Sequence, residues 1–163
     1  MDAIQCLKTR RSVRSLKSDP VDRDIIKDIV DCARLAASAI NIQPCQFIAV
    51  TDPDIRKQIA AIADHGKFIA DSACCIAVFC EKVKYYLEDG AAATQNILLA
   101  AHAHGLGACW VAGDKKEYAV DISKLLGVPD AYTLVSMVAI GKPDKRLSPD
   151  KKDISEVLHF DRF

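Results

Sequence analysis

The 163-residue sequence lacks both a charge imbalance and long apolar runs. Its 22 basic and 22 acidic residues cancel, so the chain has no strongly basic field for nucleic acid or an anionic membrane surface. No apolar run approaches the ~20 residues that a membrane span needs. The N-terminus also has no basic region followed by an apolar stretch. We therefore expect a cytoplasmic protein that binds neither nucleic acid nor membrane.

The seven cysteines lack the spacing of the common cysteine motifs. Without a C-x-x-C pair, a zinc ribbon or a thioredoxin-like site is disfavoured, and the odd number argues against a disulfide framework. His102 and His104 lie two positions apart on a predicted helix, and so on opposite faces of it. We therefore predict no metal site and a reducing compartment. A catalytic Cys–His pair remains a minor alternative.

The composition is that of a folded protein: half of the residues are apolar and 27% are charged. The length predicts one domain over 1–163. Helical and strand patterns alternate, which favours an α/β or α+β fold with one mixed sheet. The closing segment 154–163 is apolar without a local partner, which suggests packing on another subunit. Helices are predicted over 4–8, 22–37, 53–63, 91–104 and 115–126, and strands over 46–51, 74–80, 108–112 and 132–140.

Four segments have side chains suited to ligand binding. Arg10-Arg11-Ser12-Val13-Arg14 combines three guanidinium groups with a hydroxyl, which suits a phosphate or another planar anion. The amides of Asn41 and Gln43 could meet the edge of a heteroaromatic ring. The alternatives are a solvated basic stretch for the first segment and an ordinary helix-ending turn for the second.

The other two segments carry weaker signals. The glycines of 105–113 allow close approach of a ligand to the backbone, and Trp110 could lie either in the core or beside a flat ligand. The basic residues near the C-terminus could bind an anion or simply be solvated. These residues are Lys142, Lys145, Arg146, Lys151 and Lys152.

Five segments, taken in chain order, resemble motifs of the nitroreductase family of flavoenzymes. Each is modest alone, but the five together cover nearly the whole chain. They are RRSVR at 10–14, AASAINIQP at 36–44, LEDGAAATQN at 87–96, GLGACW at 105–110 and ISEVLHF at 154–160.

The resemblance implies an α+β fold with a central mixed β-sheet flanked by helices and a C-terminal extension that packs on the partner subunit. It implies a homodimer with FMN at the subunit interface. The reaction would be ping-pong transfer of electrons from NAD(P)H through FMN to a nitroaromatic or quinone acceptor. The flavin performs the chemistry, so no catalytic side chain is predicted. Alternatives are a flavin-cannibalising or dehalogenating relative, an FMN-binding or flavin-storage protein, and a cofactor-free dimer.

The resemblance also implies the cofactor-binding residues. Arg10 and Ser12 would hold the FMN phosphate, and Arg14 would lie at the N1–O2 edge of the ring. Ser38 and Asn41 would come from the second subunit. The full predicted set is Arg10, Arg11, Ser12, Arg14, Ser38, Asn41, Gln43, Trp110, Ala112, Gly113, Lys151 and Lys152.

The remaining implied roles are at the strand end and the tail. The backbone amides of Ala112 and Gly113 would face flavin N5 and O4, with Trp110 nearby. Lys151 and Lys152 would add positive charge near the phosphate.

The sequence departs from the family pattern at three positions. Cys45 replaces the tryptophan that usually follows Gln-Pro, Ala37 replaces a proline, and Gly90 replaces an alanine in a helix. Little sequence separates Lys82 from Glu88, where larger members insert lid helices. We therefore expect an open site or a lid made by the partner.

Overall fold

A computed structural model describes residues 1–145 and 149–163 of the chain. Arg146, one of the basic residues near the C-terminus, lies outside the described residues. The helices are α1 (Ala3–Thr9), α2 (Arg23–Arg34), α3 (Pro53–Ile62), α4 (Tyr86–Ala103) and α5 (Ala119–Leu125). The strands are β1 (Leu16–Lys17), β2 (Cys45–Val50), β3 (Cys74–Glu81), β4 (Gly107–Ala112) and β5 (Tyr132–Pro143).

Aspartate side chains define the starts of α2 and α3, as the sequence predicted. Asp22 accepts a hydrogen bond from the backbone N–H of Asp24 (2.8 Å), and Asp52 accepts one from that of Asp54 (2.8 Å). Each carboxylate satisfies an N–H group that has no partner within its helix. The predicted start of α5 at Lys115 is wrong, because Lys115 has a left-handed φ of 59° that a helix does not accommodate.

Strand β5 lies at the centre of the sheet. It pairs with β3 and with β4 through the same residues, 136–140, so these two strands occupy its opposite edges. Strand β2 pairs with β3, and β1 pairs with the end of β5. All of these pairings are antiparallel. In the described residues, parallel pairing is limited to a single bridge between Ser12 and Ala108. The sheet was predicted to be mixed, and this bridge is its parallel part.

Strand β3 is buried on both faces, which explains its continuously apolar sequence. Its alternate side chains enter two separate cores, because successive residues of a strand point to opposite faces. Cys75, Ala77 and Phe79 pack with residues of α3 and α5. The residues between them pack with α2 and α4. The predicted α+β fold, a central sheet flanked by helices, is confirmed. No helix within the described ranges is both long and apolar enough to span a bilayer.

Helix α4 makes a close approach to β5 at Gly90. A Cβ atom on Gly90 would lie 2.7 and 2.8 Å from the two methyl groups of Val135 and 3.0 Å from the sulfur of Cys80. One turn later, the buried hydroxyls of Thr94 and Ser136 are hydrogen-bonded at 2.7 Å. The glycine therefore sets how closely the helix lies on the sheet.

We predict that Gly90→Ala destabilises the protein despite the better helix propensity of alanine. Alanine gains about 1 kcal/mol in a helix, whereas overpacking a core costs about 1–3 kcal/mol, and the stiff valine cannot move its methyl groups aside. Urea unfolding should show a net loss of about 1–2 kcal/mol. Ala91→Gly calibrates the helix propensity at the adjacent position. A more stable Gly90→Ala variant would contradict this packing argument.

Candidate functional site

The basic segment 10–14 is held against the outer edge of β4. The Val13 N–H donates to the Ala108 carbonyl oxygen at 2.9 Å, and the Val13 side chain is buried in the core. Ser12 and Arg14, on either side of it, are exposed. Because one buried valine fixes the segment, its polar side chains are presented beside β4.

Two guanidinium nitrogen atoms in this segment are buried without a protein partner. Arg11 Nη1 donates to the carbonyl oxygens of Lys8 and Arg10, both at 2.9 Å. Among the described residues, Arg10 Nη1 and Arg11 Nε have no hydrogen-bond acceptor. A buried cationic N–H without an acceptor is unfavourable, and an anion held between the two arginines would satisfy both atoms.

The charges of the segment act on Cys109 of β4. Burial raises the pKa of the Cys109 thiol, while the positive charges of Arg14 and Arg10 and the hydroxyl of Ser12 act in the opposite direction. Arg10, Ser12 and Arg14 are therefore near enough to Cys109 to act on it. Of the residues predicted to bind the phosphate, Arg10 and Ser12 are thus near β4.

Arg14, Trp110 and Ala112 line one cleft together. Its volume is about 400 Å³, within the range of small-molecule sites. Trp110 is half-buried. Its side chain packs against the core formed with α2 and α4, and it also lines this cleft. The other lining residues are His65, Phe68, Val111, Lys116 and Tyr118.

The end of β4 is fixed by two hydrogen bonds. The Gly113 N–H donates to the Val135 carbonyl oxygen at 3.1 Å, and the Tyr118 hydroxyl donates to the Ala112 carbonyl oxygen at 2.5 Å. The Gly113 amide, predicted to face a flavin, is therefore already engaged by β5. A Cβ atom on Gly113 would lie 2.5 Å from Leu134 Cγ, so close packing explains this glycine.

The loop with Ser38, Asn41 and Gln43 lies at a different cavity. That cavity has a volume of about 110 Å³ and is lined in part by Ser38 and Gln43. The loop has an unusual backbone, because Ile40, Asn41 and Gln43 have left-handed φ values of 49°, 58° and 53°. Such values are rare for residues other than glycine and concentrate at functional sites.

Hydrogen bonds hold this strained loop in place. The buried Asp89 accepts from the Ala39 N–H at 3.0 Å, and the Ser38 hydroxyl accepts from the Gln43 N–H at 3.0 Å. The second carboxylate oxygen of Asp89 is buried without a partner among the described residues. Asp89 was not among the predicted site residues. Its signal in the sequence was its place in the segment LEDGAAATQN at 87–96, beside Gly90.

The C-terminal segment 149–163 is exposed throughout. Lys151 and Lys152 belong to it, and neither lines the cleft of Arg14 and Trp110. Its apolar side chains are exposed as well, including Ile154 (67%) and Phe160 (80%). The segment therefore contributes no side chain to either of the two cores.

Comparison with known proteins identifies the family. The Nitroreductase family model matches residues 7–74 and 82–142. A protein of Methanothermobacter thermautotrophicus, provisionally named an NADH dehydrogenase/NAD(P)H nitroreductase, is 32% identical over 171 residues, covering 100% of this chain and 88% of the relative. The chain therefore belongs to the nitroreductase family.

Solved structures agree in fold over the whole chain. A Bacteroides thetaiotaomicron protein, with the same provisional name, has a TM-score of 0.94 at 26% identity, covering 99% of this chain and 98% of the other. An FMN-dependent nitroreductase from Clostridium difficile has a TM-score of 0.90 at 27% identity, covering 98% and 99%. The resemblance drawn from the five sequence segments is thus confirmed, while the roles of the individual site residues stay predictions.

We predict that Asp89→Ala loosens the loop that contains Ser38. The substitution removes the acceptor for the half-buried Ala39 N–H, and a typical intramolecular hydrogen bond contributes about 0.5–1.5 kcal/mol. Hydrogen exchange at Ala39 should accelerate, and urea unfolding should show a lower stability. Asp89→Asn keeps an acceptor and should exchange more slowly than Asp89→Ala.

Glu88→Ala removes the exposed neighbouring acid and provides the control. Unchanged exchange at Ala39 in Asp89→Ala would mean that the carboxylate does not anchor the loop.

Proposed function

We propose that the chain is an FMN-dependent NAD(P)H oxidoreductase that reduces an organic acceptor of the nitroaromatic or quinone type. The observation that carries the proposal is that Arg10 Nη1 and Arg11 Nε are buried with no acceptor among the described residues, in the segment whose Arg14 lines an aromatic cleft. Family membership and the likeness to an FMN-dependent nitroreductase support the same conclusion. The cytoplasm is the proposed location.

The charges of the basic segment and the size of the cleft suit FMN. Arg10, Arg11 and Ser12 would bind its phosphate, because two unpartnered N–H groups and an exposed hydroxyl suit a dianion. The ring would lie in the cleft of Arg14 and Trp110. Bound FMN would supply the capacity to accept a hydride from NAD(P)H and to pass electrons to a second substrate, with donor and acceptor binding in turn.

The chain's own residues would orient and tune the cofactor. The positive charge of Arg14 would favour negative charge at the ring edge, which raises the reduction potential. The Ala112 carbonyl is held by Tyr118, so the strand end beside the cleft is rigid. This arrangement requires no nucleophilic or acid–base side chain, and we assign no catalytic residue.

We also propose that the working unit is a homodimer. Ser38, Asn41 and Gln43 would contribute to the partner's cofactor site, because within one chain Ser38 and Gln43 line a separate cavity from Arg14. The exposed apolar side chains after residue 153 would pack on the partner, with Lys151 and Lys152 carried toward its phosphate.

Light scattering should give the mass of a dimer, and a monomer would contradict this part of the proposal.

The function is tested by the visible absorption spectrum during anaerobic titration. We expect a bound flavin band that NADH or NADPH bleaches and that a nitroaromatic or a quinone restores. A band that stays oxidised would indicate an FMN-binding or storage protein instead. The absence of a band after reconstitution with FMN would contradict the proposal altogether.

We predict that Arg10→Ala weakens FMN binding by about 1.5–3 kcal/mol, roughly 10- to 150-fold in Kd, the range for hydrogen bonds to charged groups. Fluorescence titration of FMN into the apoprotein measures the effect. Arg23→Ala removes an exposed arginine at the start of α2 and should leave the Kd unchanged. Wild-type affinity in Arg10→Ala would refute the phosphate assignment.

A further inference from the structure

Cys45 of β2 and Cys80 of β3 lie directly opposite each other on adjacent strands. They are register partners, and their sulfur atoms are 3.0 Å apart. The next pair along is hydrogen-bonded, because the Glu81 N–H donates to the Pro44 carbonyl oxygen at 3.1 Å. Hydrogen-bonded and non-hydrogen-bonded pairs alternate, so Cys45 and Cys80 form a non-hydrogen-bonded pair, the kind in which side chains lie closest.

The two thiols differ in access. Cys80 is buried beneath α4, where a Cβ on Gly90 would lie 3.0 Å from its sulfur. Cys45 is partly exposed and lines the cavity of about 110 Å³ beneath the loop of Ser38 and Gln43. Because Cys45 is partly exposed, a small peroxide can reach it from solvent.

The hydrogen bond between the pair also favours reaction at Cys45. It lowers the pKa of the Cys45 thiol and raises that of Cys80, so the thiolate forms on the accessible side. The vicinal cysteines of β3 contrast with this pair. Cys74 and Cys75 point to opposite faces of the strand, burial raises the pKa of Cys74 to about 12, and burial also raises that of Cys75.

We propose that Cys45 and Cys80 are a redox-responsive pair that forms a reversible intrachain disulfide when the protein meets a hydroperoxide. The bridge would tie the start of β2 to β3 one residue beyond Pro44, where the strained loop 38–43 joins the sheet. The proposal requires no bound FMN, so it is tested separately from the proposed function.

The reaction balances with hydrogen peroxide as the oxidant. The Cys45 thiolate attacks one peroxide oxygen, an S–O bond forms, the O–O bond breaks, and hydroxide leaves and takes up a proton. The Cys80 sulfur then attacks the sulfenic sulfur of Cys45, the S–S bond forms, and the S–O bond breaks. The departing hydroxyl takes up the Cys80 proton as water. The two thiols lose two electrons, and the peroxide gains them.

The geometry of the pair allows a bridge. Cα atoms of a non-hydrogen-bonded pair lie about 4.5 Å apart, within the range for disulfides, so the bridge needs no backbone movement. A disulfide between a partly exposed and a buried cysteine remains open to a small thiol at Cys45, so reversal by dithiothreitol is part of the proposal.

The test treats the reduced wild-type protein with hydrogen peroxide, blocks the remaining thiols and digests with trypsin without reduction. Peptides 35–56 and 68–82 should become joined. Because 68–82 also contains Cys74 and Cys75, the fragmentation spectrum of the joined peptide must place the bridge at Cys80. Dithiothreitol should separate the peptides again.

Variants supply the controls. The joined peptide should disappear in Cys45→Ser and in Cys80→Ala, and it should persist in Cys32→Ser, which removes a partly exposed thiol on α2. The wild-type spectrum decides the question even if a Cys80 variant fails to fold. No joined peptide in the wild type, a bridge at Cys74 or Cys75, or a bridge that dithiothreitol leaves intact would overturn the proposal.

Discussion

The close approach of α4 to β5 at Gly90 is the contact on which the arrangement of the molecule depends. With no side chain at this position, the helix lies directly on Val135 and on the sulfur of Cys80. The adjacent Asp89 is thereby placed where it accepts the Ala39 N–H and holds the strained loop. One close-packed turn of helix thus positions the candidate ring-binding loop and confines the cysteine pair beneath it.

The opposite edge of β5 organises the second half of the candidate site. Strand β4 carries Trp110 and Ala112, and its outer edge holds the basic segment through Val13. Although the chain has no net charge, this segment carries three arginines, and two of their nitrogens are buried with no acceptor among the described residues. Leaving such groups unpaired is unfavourable, so a bound anion would stabilise this segment. A ligand with a phosphate group and a flat ring would suit both the unpartnered arginine nitrogens and the aromatic cleft.

Much of the fold could be predicted from local patterns, because these patterns report interactions that form locally. The apolar run at 74–80 predicted a buried strand, and Asp22 and Asp52 predicted helix starts, all of which the structure has. Features that depend on distant contacts could not be predicted. The left-handed conformation of Ile40 is unfavourable for a β-branched residue, and it persists because Asp89, fifty positions along the chain from Ala39, accepts the Ala39 N–H and anchors the loop.

In the candidate site, too, local features could be predicted from the sequence and features that depend on distant contacts could not. The residue types of the basic segment indicated an anion site, and the structure adds the two unpartnered nitrogens. Strand register, which no sequence motif specifies, decides two further features. It decides that the Gly113 N–H donates to β5, and it decides that Cys45 lies opposite Cys80. Family motifs likewise indicated Ser38 and Asn41 without indicating the bond network that holds their loop.

The central claim is that Arg10 and Arg11 bind the phosphate of FMN. The most direct measurement compares the Kd values of FMN and riboflavin, which lacks the phosphate, for the wild type and for Arg10→Ala. We expect the wild type to prefer FMN by at least tenfold, as one charge-assisted hydrogen bond provides, and the preference to shrink in the variant. Equal affinity for the two ligands in the wild type, or an equal loss of both in the variant, would contradict the account.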